Sequence, residues 1–164
     1  MTFHPVPQPE DLSAKEKDDA MGGYLMMFAA WGAGLPLPML GVLASIIYYY
    51  VNRGKGRFVQ FHAHQSMMSQ VVICLMNASL VFWFVYWWLS ESEGPVSHEF
   101  VAYALLVGLA NLLYVVASIL AAVGAYRGRM IYFWFFGRLA YAKVFAETPE
   151  KNQATPVNRP PTDV

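Results

Sequence analysis

Long stretches without charge constrain this chain more than any other feature. Between Ala20 and Ser90 the charged residues are Arg53, Lys55 and Arg57, and from Val101 to Tyr126 there is none. A soluble domain of this size would scatter charge over every exposed helix face. Charge-free runs of about 20 residues are the mark of membrane spans. The sequence therefore predicts an all-α integral membrane protein, a compact bundle of three to four transmembrane or half-membrane helices plus a C-terminal interfacial helix. The chain carries 11 basic against 11 acidic residues, so bulk electrostatics suggests no nucleic-acid partner.

Three regions follow from composition. Residues 1–21 form an N-terminal arm, with Pro5, Pro7 and Pro9 at alternate positions and mixed charge behind them. The expectation is an extended arm and about one polar helical turn. Its acidic excess is the wrong charge for the n-region of a signal peptide. Residues 22–146 form the membrane domain, and 147–164 a proline-rich tail. Within the membrane domain, Pro36 and Pro38 break the first apolar segment, 22–51, into a short helix near 22–33 and a second near 37–51. At about 1.5 Å per residue neither piece crosses a hydrocarbon core of roughly 30 Å alone. A bent span and a shallow helical hairpin both satisfy that pattern. Full spans are expected at about 65–89 and 100–125, and an interfacial segment at 127–146.

Loop charge orients the spans. Arg53, Lys55 and Arg57 precede one span, Arg127 and Arg129 follow the other, and the acidic SESEGPVSHE links them. Positive loops stay cytoplasmic, so residues 52–57 and the C-terminus are expected inside and residues 91–98 outside. Tyr48, Tyr49 and Tyr50 mark one interface; Trp83, Tyr86, Trp87 and Trp88 mark the other.

The stretch RFVQFHAHQS raises the question of chemistry. On a helix, His62, Gln65, Ser66, Ser69, Ile73 and Asn77 share one stripe, polar except for Ile73. His64 lies about 200° round the helix from His62, toward headgroups or lipid, whereas helical metal ligands want a spacing of three or four. Zinc would need further Cys, His or carboxylate ligands. Copper(I) could draw on Met67, Met68 and Cys74, but methionine is also ordinary core filling. The spans hold no Asp, Glu, Lys or Arg, so no intramembrane acid–base pair is available. No catalytic residue, metal site or cofactor is expected, and RFVQFHAHQS reads as the way a helix enters the membrane.

The order basic loop, FVQFHAHQS, span, short link, span, AYRGRMIYF resembles a widespread bacterial family of small membrane proteins. That family has a domain of unassigned function and looks related to the Tic-type inner-envelope component of chloroplast protein import. Its pattern places a phenylalanine four residues before a His-Ala pair and a glutamine three after the histidine, matching Phe58, His62, Ala63 and Gln65. Ala125, Arg127, Gly128 and Tyr132 fit its last-span ending loosely. The likeness covers about residues 22–146, and departs at Ser66, where alanine is usual, and at FWFF, where Tyr-Pro is common. The resemblance implies a compact bundle of three or four helices without known catalytic residues, in the bacterial inner membrane.

Two features bear on partners beyond the lipid bilayer. Ala117, Ala121 and Ala125 on one span, with Gly41 and Ser45 on the first segment, make small-residue stripes that let helices approach closely. They suit packing within the chain or against other integral membrane proteins or a second copy. Asn77 and Asn111 lie twelve residues from Leu89 and Glu99, roughly 18 Å down at 1.5 Å per residue, so they are expected to meet. The leading function is a non-catalytic membrane subunit packing with other membrane proteins. A component of a protein-translocation or transport pore is the alternative, and a metal-binding or redox protein a third.

Overall fold

The computed structural model describes residues 4–28, 38–90 and 96–146. It is all-α, with five helices: α1 (Ala14–Leu25), α2 (Pro38–Asn52), α3 (Arg57–Leu89), α4 (His98–Tyr126) and α5 (Phe136–Phe145). Helices α3 and α4 are long and apolar enough to cross a membrane. Their most apolar windows are only 17% and 28% buried. A soluble core helix of that hydropathy would be mostly covered, and exposed apolar area on this scale is not tolerated in water.

Helix α1 begins eight residues before the expected 22–33 piece and ends at Leu25, with a single 3-10 turn at Met26–Phe28. The reason is local. The Glu16 amide donates to Ser13 Oγ at 3.2 Å while Ser13 N donates to Glu16 Oε2 at 3.0 Å, a reciprocal capping box. Ala20, Gly23 and Tyr24 on this helix are buried, so the expected boundary at residue 21 falls inside a packed helix. The expected break at GAGLPLP lies outside the described residues up to Pro38, where α2 starts.

Helices α1 and α2 run antiparallel. Tyr48 Oη donates to the Asp19 carbonyl at 2.7 Å, and Lys55 pairs with Asp19 at 2.7 Å at one end. At the other, Gly41 lies beside the Met27 carbonyl and the Gln70 side chain. Both outer ends of the pair therefore sit at the basic end of the bundle.

Helix α3 starts at Arg57, not near residue 65. Its first turns pack against protein: Phe58, Val59 and Phe61 are fully buried. Helix α4 is capped by Ser97, whose Oγ accepts from the Phe100 amide at 3.2 Å. It ends in a Schellman motif, with Arg129 N donating to the Gly124 carbonyl and Gly128 N to the Ala125 carbonyl, both at 2.9 Å. Gly128 takes φ +74°.

The chain beyond Arg127 forms the expected C-terminal helix over only part of its length. It runs without helix to about residue 135 and then forms α5, whose Ala140 and Phe145 are buried with Phe61. The N-terminal arm closes over the same end. His4 N donates to the Phe145 carbonyl at 2.9 Å, and a Cβ on Gly128 would stand 3.0 Å from Pro9 Cα.

Gly128→Ala should therefore lose about 1–2 kcal/mol from the left-handed conformation, with further strain against Pro9. A detergent melt should show a lower midpoint, and limited proteolysis should show faster cleavage at Lys15 and Lys17. An unchanged melt and unchanged cleavage would contradict this account of the turn.

Candidate functional site

The residues of RFVQFHAHQS meet at the basic end of the bundle. Phe58, His62, Ala63 and Gln65 are all buried, Gln65 with no exposed surface. Gln65 is the junction. Its Nε2 donates to Tyr24 Oη at 2.7 Å and to the Ile131 carbonyl at 2.9 Å, and its Oε1 accepts from the Phe133 amide at 3.1 Å. One side chain of α3 thus holds α1 and the segment after α4. The amide orientation is forced, because a flip would set Oε1 against the Ile131 carbonyl.

The network continues through Tyr24. Its oxygen already accepts from Gln65, so its proton is free to go to His62 Nδ1 at 2.9 Å. That makes Nδ1 an acceptor and puts the ring proton on Nε2, which is buried. Phe58 and Phe61 enclose the imidazole edge-on, with ring centroids 4.6 and 5.0 Å away.

Close backbone approach lets this network form. Ser66 Oγ donates to the Gly23 carbonyl at 2.6 Å, and a Cβ on Gly23 would lie 3.4 Å from Ala63 Cα. The α1–α3 crossing therefore needs small residues at 23 and 63. Gly137 lies against Gln65 Oε1 and Tyr132, so the start of α5 reaches the same junction. Tyr132 packs edge-on against Phe61 at 5.2 Å, and partial burial, with Tyr141 nearby, raises its pKa. Of the last-span residues, Ala125 thus packs in one cluster with Phe58 and Tyr132 against Phe61, while Gly128 lies against Pro9 of the arm and Lys17 of α1.

The remaining candidates fall elsewhere. Asn77 Nδ2 donates to Asn111 Oδ1 at 3.1 Å and Asn111 Nδ2 to Asn77 Oδ1 at 2.9 Å; Asn111 Nδ2 also reaches the Val107 carbonyl at 2.8 Å. Ala121 and Ala125 are buried in the α1–α4 core with Ala20 and Tyr24, and Ala117 is half-buried. Gly41 sits at the α2–α3 contact, and Ser45 is buried with its Oγ on the Val42 carbonyl. Of these small residues, Gly41, Ala121 and Ala125 lie at helix contacts within the chain. Arg53 lies over the Tyr50 ring, Arg57 lines a cleft with Asp11 and Glu16, and Arg127 and Arg129 are exposed.

His64, expected toward headgroups or lipid, is covered in part by protein. It is half-buried, 5.1 Å from the Tyr49 ring and within electrostatic reach of Lys143, because α2 and α5 flank that side of α3. Sequence reasoning also missed Tyr24, the partner of both His62 and Gln65. Its signal was the Ser13–Glu16 spacing, which extends a helix through it. Among the described residues no three His, Cys, Asp or Glu side chains converge on a point. The junction is a structural clamp of neutral groups.

A family model described as the magnetosome magnetite crystal formation protein family, MamF/MmsF, matches residues 20–140. The chain belongs to that family. The MamF/MmsF match runs from the middle of α1 into α5 and so includes every residue of the Gln65 junction named above. Comparison with curated proteins and with solved structures gives no match.

Removing Gln65 should unfasten this end. Gln65→Ala leaves Tyr24 Oη, the Ile131 carbonyl and the Phe133 amide short of a partner, at about 1–3 kcal/mol for each buried group left unsatisfied. Asn77→Ala should lose only about 0.6 kcal/mol, the average for a membrane hydrogen bond. Unfolding titrations in mixed micelles should rank Gln65→Ala far below Asn77→Ala. Equal losses would contradict the assignment of Gln65 as the junction.

Proposed function

We propose that this protein is a non-catalytic, multi-pass subunit of the membrane in which magnetite crystals form, where it packs with other membrane proteins in an accessory or assembly role. The family match over residues 20–140 carries the reading. The architecture supports it. Two long apolar helices leave most of their surface uncovered, and the buried polar groups of the junction are arranged as a clamp. Residues 52–57 and the segment beyond Arg127 face the cytoplasm, and the α3–α4 link faces the opposite side, by the sign of the loop charges.

A component of a translocation pore is the second reading, carried only by the expected resemblance of FVQFHAHQS to the Tic-type pattern; the family match is to MamF/MmsF and shows no such similarity. A pore built by one copy lacks lining groups. At mid-depth of the long hairpin the amides of Asn77 and Asn111 satisfy each other, and neither span carries a charge between Val101 and Tyr126 or between Phe58 and Ser90. Further copies or a partner would have to complete it.

Deletion of the gene in a magnetite-forming host, scored by electron microscopy of crystal size and number, tests the first reading. Altered crystals, restored by the wild-type gene, are expected; unchanged crystals would contradict it. The orientation is tested separately, by single cysteines placed in a Cys74→Ala background on intact cells. Ser92→Cys and Lys55→Cys should label from opposite sides, and labelling from the same side would refute the topology.

A further inference from the structure

The two halves of the long hairpin differ in what surrounds them. The buried residues of α3 run from Phe58 to Cys74 and those of α4, apart from Val107, from Tyr114 to Ala125. Both groups lie at the basic end. There α1, α2, α5 and the arm surround the hairpin, and Gly41 of α2 and Met27 after α1 meet α3 at the level of Gln70. Toward the other end of the hairpin Phe82, Tyr86, Trp88 and Leu105 are exposed. From Tyr114 to Tyr126 is about 18 Å at 1.5 Å per residue, the depth of roughly one leaflet. Among the described residues the cross-section is thus wide over the depth of one leaflet and narrow over the other.

The wide end also carries an interfacial rim. Trp134 is 90% exposed and Phe135 65%, beside Tyr126 and Tyr132 and among the exposed Arg127, Arg129 and Arg138. Aromatic side chains at headgroup level with arginines beside them suit insertion at the surface of an anionic leaflet.

We propose that the partner of this surface is a curved bilayer, and that the protein acts as a one-leaflet wedge favouring membrane convex on its basic side. Adding cross-section to one leaflet alone expands it relative to the other, and the lower-strain arrangement bends the bilayer toward the expanded side. Interfacial insertion is curvature-sensitive for the same reason. Taken with the topology proposed above, the convex side is the cytoplasmic one.

Vesicles test this without iron and without a cell. The full chain, labelled and reconstituted into phosphatidylethanolamine–phosphatidylglycerol vesicles of mixed diameter, is imaged vesicle by vesicle for protein per lipid. Orientation is read from accessibility of Lys55→Cys in a Cys74→Ala background. Molecules with the basic end outward should be several-fold denser in the smallest vesicles, and those with it inward depleted there. The double variant Trp134→Ser/Phe135→Ser, checked for unchanged helicity, should flatten the dependence. Equal density at all diameters, or an unaltered slope in the double variant, overturns the proposal. Because orientation is measured directly, that result is distinct from a failure of the cellular topology or of the role in crystal formation.

Discussion

Everything at the basic end depends on one buried amide finding partners from two other parts of the chain. Gln65 sits on α3, yet its hydrogen bonds go to Tyr24 on α1 and to the Ile131 and Phe133 backbone after α4. An amide buried without partners loses several kcal/mol, so the side chain is either satisfied or strongly destabilising. The segment after α4 has no helical hydrogen bonds of its own between Met130 and Phe133, and Gln65 supplies two of the missing partners. Tyr24 in turn orients His62, and the Gly23–Ala63 approach allows the crossing. The arm and α5 then pack on a surface that this junction has already built.

Much of this was legible from spacing. The 3.6-residue period placed His62, Gln65, Ser66 and Ser69 on one face, and depth counting set Asn77 level with Asn111. The start of α3 was not legible from hydropathy, since a helix can begin inside protein before it meets lipid. Phe58 and Phe61 are core residues of that earlier part. Helix α1 was obscured for a related reason. Its proline-led, mixed-charge beginning reads as an extended arm with about one helical turn, and tertiary packing of Ala20 and Tyr24 together with the Ser13 cap makes one helix from Ala14 through Leu25. The role of the alanine stripe was open in principle, because small residues permit close approach without specifying which helix approaches. Here α1 is the neighbour of Ala121 and Ala125.

The asymmetry between the two ends links this packing to function. Buried polar side chains, buried aromatic contacts and the strapped arm are concentrated where the basic residues lie. The opposite end keeps its aromatic side chains exposed and is held by a hairpin with one mid-depth amide pair. In this member of the magnetosome magnetite crystal formation family, the described residues thus form one end where several elements pack together and another end that is a two-helix hairpin.

The central claim is that Gln65 and Tyr24 act as one unit, and a double-mutant cycle measures that directly. Tyr24→Phe, Gln65→Met and the double variant are compared by unfolding in mixed micelles, with Tyr24→Phe and Asn77→Ala as the distant control pair. The account predicts a coupling of about 1–3 kcal/mol between Tyr24 and Gln65, with additivity in the control. Additive losses at Tyr24 and Gln65, to within about 0.5 kcal/mol, would contradict it.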